Sequence, residues 1–126
     1  MSNPVSLSNS CILLAGSISL TTNDDQIDKA HSFVEALVTE VINAGGSFIG
    51  YFSAEPVNQT QKSLVFDWTI ARKINELTQG IENKIFLKIV ASNDRLQFKT
   101  NSEQRRLLNS MIARGVAEHI CIDDEI

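Results

Sequence analysis

The chain has little of almost everything that would assign it to a special class. Among its 126 residues there are two cysteines, two prolines, one tryptophan and one tyrosine, and aromatic residues make up 6% of the chain. Two cysteines, Cys11 and Cys121, each inside an apolar run, cannot staple a small secreted fold; the composition predicts buried, reduced thiols in a cytoplasmic protein. His31 and Cys11 stand apart, and His119 beside Cys121 is a lone pair of donors, so no spacing matches a metal site. Cationic residues number 11 against 15 acidic ones, for a net charge of −4. The closest thing to a basic cluster is Arg105-Arg106, so the basic face that nucleic acid or an anionic membrane requires is missing. No apolar stretch approaches the roughly 20 residues of a membrane helix. The first ten residues, MSNPVSLSNS, lack the charged start and apolar core of a signal peptide.

Two phosphate-binding signatures are also missing. Neither G-x-G-x-x-G nor G-x-x-x-x-G-K-[ST] occurs, and no resident cofactor is expected. No Ser/His/Asp or Cys/His spacing supports nucleophilic catalysis.

What is present is an alternation of short apolar runs and amphipathic stretches. After a polar leader, Met1–Asn9, the run Ser10–Ala15 reads as a strand that breaks at Gly16-Ser17. Asn23 is a fitting N-cap with Gln26 three residues on. Ile27, Ala30, Val34, Leu37, Val38, Val41 and Ile42 then form one helical stripe that ends at Ala44-Gly45-Gly46. Ser47–Phe52 reads as a second strand. A helix capped by Asp67, with Ile70, Ile74 and Leu77 on one face, ends at Gly80.

Lys84–Ala91 is apolar on both faces except at Lys88, as the interior of a parallel sheet requires. Leu96–Lys99 reads as extended chain or loop. A helix from Asn101 or Ser102, packing Leu107, Leu108, Met111 and Ile112, stops at Gly115, and His119–Ile122 is a last strand. The order β-α-β-α-β-α-β predicts a Rossmann-like, three-layer α/β domain over 10–126 with parallel strands and right-handed crossovers. The last strand has no helix after it. We therefore expect either the front part of a longer chain or an edge that pairs with another copy.

In such sheets ligands sit at the carboxyl ends of the strands. That places Gly16, Ser17, Ile18 and Ser19 first among candidate ligand contacts: the glycine admits close backbone approach and the serines offer hydroxyls. Asp24, Asp25 and Asp28 already occupy the positive end of the following helix and would repel a phosphate placed there. Gly45-Gly46 lies at the amino ends of the strands, and helix capping accounts for it. At the correct end lie Phe52, Ser53 and Glu55, the last a weak catalytic candidate. There too stand Asp67-Trp68, a carboxylate for a hydroxyl beside a ring for a base, and Asn93 after the third strand. Asp123-Asp124-Glu125 reads as a solvated end, and His31 as a helix histidine beside the apolar stripe.

A strand ending in AGSI, a long helix closing in AGG, a strand with aromatic residues and an FDW-headed helix together resemble the SLOG group. These are Rossmann-like nucleotide-binding domains related to the LOG phosphoribohydrolases and found in bacterial anti-phage defence proteins. The resemblance implies a pocket for a nucleotide-derived signal of the ADP-ribose or cyclic ADP-ribose type. Gly16-Ser17-Ile18 and Phe52-Ser53 would line it. The LOG stretch P-G-G-x-G-T-x-x-E has no counterpart within these residues; unless it lies beyond residue 126, that hydrolysis is disfavoured. The opening ILLAGSI is also similar to nucleoside deoxyribosyltransferases, whose glutamate nucleophile could fall on Glu55 or Glu76. Three expectations follow: a sensor, an enzyme acting on an N-glycosidic bond, or a self-associating module.

Overall fold

In the computed structural model the described residues are 6–122; Asp123-Asp124-Glu125 and the first five residues lie outside them. Four parallel strands, β1 (Cys11–Leu13), β2 (Ser47–Tyr51), β3 (Leu87–Ala91) and β4 (Ala117–Cys121), form one sheet in the order β1-β2-β3-β4. Between them run α1 (Asp24–Asn43), α2 (Asp67–Leu77), the short α3 (Asn93–Phe98) and α4 (Ser102–Ala113).

The helix starts follow local chemistry. Asn23 accepts the Gln26 N–H, and Asn101 and Gln104 form a full capping box at α4. Gly45, at φ +88°, takes the left-handed position that ends α1. A β-carbon on Gly46 would lie 2.7 Å from Val41 Cγ1 and 3.1 Å from Leu7 Cβ, so this glycine also admits the entering chain. Leu7 packs on the core and its N–H donates to Ala44 O at 2.8 Å. The ordered domain thus begins before Ser10.

The sheet order decides the layering. Parallel strands laid down in sequence by crossovers of one hand put their helices on one face. The core cluster accordingly joins Phe48 of β2, Leu87, Ile89 and Ala91 of β3, and Ala117 of β4 to Val34, Val38, Ile74, Leu108 and Met111 of the helices. On the opposite face, Ile49, Lys88 and Glu118 stand in register, as do Tyr51, Val90 and Ile120. None of these six belongs to that cluster, and Tyr51 is 61% exposed. The parallel α/β alternation is as the sequence predicts, but the described residues supply two of the three expected layers.

Several boundaries shift. The 96–99 stretch lies not in extended chain but largely within α3, which Ser92 caps by accepting the Arg95 N–H. Asp67 is the first helical residue of α2 rather than its cap, a position held by Phe66 without a side-chain bond. The first strand is shorter than Ser10–Ala15. Lys84–Phe86 lies outside β3, although Phe86 still bonds Phe48 and Val116 through its backbone. Cys11 and Cys121 are free and exposed, not buried, because both stand on edge strands. No helix among the described residues is long and apolar enough to cross a membrane.

Candidate functional site

The residues singled out for the site all follow strand ends, yet they do not converge on one crevice. A doubly wound sheet opens a crevice where its strand order reverses. The order β1-β2-β3-β4 never reverses.

After β1, Gly16 is exposed at φ +142°, with nothing within 4 Å of the position a β-carbon would take. Ser17 bridges Val65 in antiparallel fashion, and the Ile18 N–H donates to Leu64 O at 2.8 Å. The Gly16–Ser19 turn is thereby tied to the segment that enters α2. Ser19 hydrogen-bonds Thr21 at 2.9 Å and remains exposed.

Phe52 and Trp68 were expected to face a ligand. Both are 1% exposed, packed edge to face at 5.0 Å between ring centroids. The Trp68 indole N–H donates to Ser53 O at 3.0 Å. The pair therefore floors the strand ends from within the core, and Trp68 has no open face for a base. The Ser53 hydroxyl lies 3.4 Å from an Arg95 guanidinium nitrogen, which links the end of β2 to α3. Asn93 is exposed on α3 and lines a cleft to which neither Gly16 nor Ser53 contributes.

Two carboxylates define the chemistry here. Glu55 has a side chain only 11% exposed and takes a bidentate fork from Arg72, at 3.1 Å to Oε2 and 2.5 Å to Oε1. Gln104 of α4 donates to the same Oε1 at 3.0 Å. Burial pushes this carboxyl up, but hydrogen bonds from Arg72, Ser63 and Gln104 and the Arg72 charge outweigh it. They hold the group below its ordinary range.

Asp67 is the opposite case. Half-buried at the start of α2, it has its carboxyl pushed up by burial, against which only backbone N–H groups of Asp67 and Tyr51 act. Space for it comes from Gly50, where a β-carbon would fall 2.8 Å from Asp67 Oδ1 and 2.9 Å from Phe52 Cε2. A glycine inside a strand marks such an approach, and that was the available signal for this contact. Arg72 and Gln104 left no local signal, since their partner Glu55 is 17 and 49 residues away.

A groove of about 540 Å³ lies between α1, the loop after β2 and α2, and both glutamates named as possible nucleophiles, Glu55 and Glu76, line it. Its cations are already spent: Arg72 on Glu55, Lys62 on Asp28 at 2.9 Å and Lys73 on Glu76 at 2.8 Å. Glu35 adds a further carboxylate, so the groove offers no free positive charge to a polyphosphate. Above it, Asp24 accepts from Asn58 (2.9 Å) and Thr60 (2.6 Å), which hold its carboxyl low at the start of α1. The phosphate repulsion expected at this helix end therefore stands on a fixed, ionised carboxylate.

His31 braces the groove wall. Its Nε2 donates to Ser63 O at 2.8 Å, its Nδ1 pairs with the Thr69 hydroxyl at 2.7 Å, and its ring tilts on Phe66 at 5.1 Å. Both ring nitrogens are used, one joining α1 to α2 and the other joining α1 to the loop before α2. Among the described residues no three His, Cys, Asp or Glu side chains gather as a metal site.

This is a parallel α/β domain with small polar turns and two contrasting carboxylates at its strand ends. By sequence it belongs to the family of N-terminal domains of Cap17-like ATP nucleosidases, whose pattern matches residues 7–126. It is 36% identical over 118 residues to ATP nucleosidase Cap17 of Escherichia coli strain KTE188, and equally to an Escherichia coli protein of the same name. The match covers 94% of this chain but 23% of those relatives. No solved structure matches the chain.

Proposed function

We propose that this domain is the ligand-recognition part of a larger nucleosidase-type protein. In this reading it binds a nucleotide-derived molecule (ATP itself, or an ADP-ribose or cyclic ADP-ribose type signal) and leaves N-glycosidic cleavage to the rest of the polypeptide. The bacterial defence setting follows from the SLOG-like resemblance. The polar surface for the ligand is the Gly16–Ser19 turn with Ser53.

The observation that carries the reading is the state of Glu55. A nucleophile or general acid needs a free lone pair or a transferable proton. Glu55 has its oxygens bound by Arg72 and Gln104 and is held ionised. The carboxylate first in line for chemistry is thus a structural anchor.

The test is a thermal-shift panel of ATP, ADP-ribose and cyclic ADP-ribose isomers. A binder at 100 times its dissociation constant stabilises by about 2.7 kcal/mol. We expect at least one compound to raise the melting point and to be recovered intact. No shift from any of them overturns the reading.

Asp67 supports a second reading, in which the domain itself takes part in cleavage. A half-buried carboxyl pushed up in pKa is suited to protonate a leaving base. Release of free base, abolished by Asp67→Asn, would establish that alternative.

A further inference from the structure

A second cleft, of about 400 Å³, opens between α3 and α4 over the β3–β4 edge. Its floor is apolar, built from Ile89, Leu96 and Leu108. Around it stand three carboxamides, Asn93, Gln97 and Asn109, whose side chains make no hydrogen bond among the described residues. His119 adds a ring nitrogen. Its Nε2 donates to Ala91 O at 2.9 Å, so Nδ1 is left as an acceptor in the neutral ring.

The lining is mostly uncharged. Arg105 is its one cation, and its guanidinium is already held by the carbonyls of Gln97 and Thr100. Among the described residues no carboxylate lines the cleft, so a cation finds no counter-charge there, and Arg105 is the one group of the lining that could meet an anion. An apolar floor with a few convergent, unpartnered polar groups is the usual make-up of a small-molecule site. Asn and Gln side chains present a donor and an acceptor side by side, the pair that reads the amino edge of adenine.

We propose that this cleft holds a neutral heteroaromatic base of the adenine type, its face on the Leu96–Leu108 floor and its amino edge read by the carboxamides. The site is separate from Gly16 and Ser53, neither of which lines it, and it does not depend on the strand-end reading.

The test is titration of the ¹⁵N-labelled 126-residue protein with adenosine, followed through side-chain amide and backbone signals, with inosine as the control. We expect the Asn93, Gln97 and Asn109 amide pairs to shift. Inosine, which carries a carbonyl in place of the amine, should bind more weakly. The double variant Gln97→Ala/Asn109→Ala alters two exposed residues, and unchanged dispersion would show that it folds. It should lose about tenfold in affinity or more. No shift at millimolar adenosine, or equal binding by the double variant, would overturn the proposal. Shifts confined to Gly16–Ser19 and Ser53 would overturn it as well, while leaving the strand-end reading in place.

Discussion

Glu55 and Asp67 lie twelve positions apart, at the two ends of one loop, and their environments drive them in opposite directions. Both are partly withdrawn from water, which by itself disfavours the charged form. Glu55 reaches two cross-chain donors, Arg72 from α2 and Gln104 from α4, and burial is overcome. Asp67 meets only backbone N–H groups, and burial prevails. Withdrawal from solvent alone therefore does not set the direction of the shift here; the donor set does. One carboxylate is held below its ordinary range by its donors, and the other is pushed above it by burial.

The largest expected effect comes from removing the anchor. Glu55→Ala leaves Arg72 without its fork and Gln104 without an acceptor. It should cost about 2–3 kcal/mol, discounted because Arg72 is half exposed. Urea unfolding would measure it, and a loss well under 1 kcal/mol would show that the ion pair is ornamental. Next comes Gly50→Ala, whose new methyl meets Asp67 Oδ1 and the Phe52 ring below 3.0 Å. It should cost about 1–3 kcal/mol by overpacking and should move the Asp67 titration, which carboxyl NMR would read. Asp67→Asn should have the smallest effect and the opposite sign. It removes a buried charge while keeping an acceptor for the Tyr51 N–H, and should raise the melting point at neutral pH.

The pH dependence separates the two groups further. Glu55 titrates below its ordinary value of 4.5, so the stability it adds is complete above that pH and is lost as pH falls through its depressed folded value. Asp67 titrates above its ordinary value of 3.8. The folded state therefore holds the proton longer than the unfolded one, and stability declines as pH rises from 3.8 through the raised value. Both variants should thus diverge from the wild type as pH rises, Glu55→Gln below it and Asp67→Asn above it. Parallel profiles would break the contrast.

Much of the fold was legible because it rests on local chemistry. The stripe on α1, the Asn23 and Asn101 caps and the apolar run of β3 are all read within a few residues. The strand order was not legible, since no residue states which neighbour its strand will pair with. That order puts the helices of the described residues on one face of the sheet and gives those residues no switch point. Of the candidate site, the position after strand ends was legible, but burial took Phe52 and Trp68 into the core. The Glu55–Arg72–Gln104 anchor joins residues far apart in sequence and could be seen only once folded.

Recognition without cleavage is tested most directly by titrating the domain calorimetrically with ATP and analysing the same solution for free adenine. Saturable binding with ATP recovered whole is the predicted result. Adenine released by the domain alone, and lost in Asp67→Asn, would contradict it.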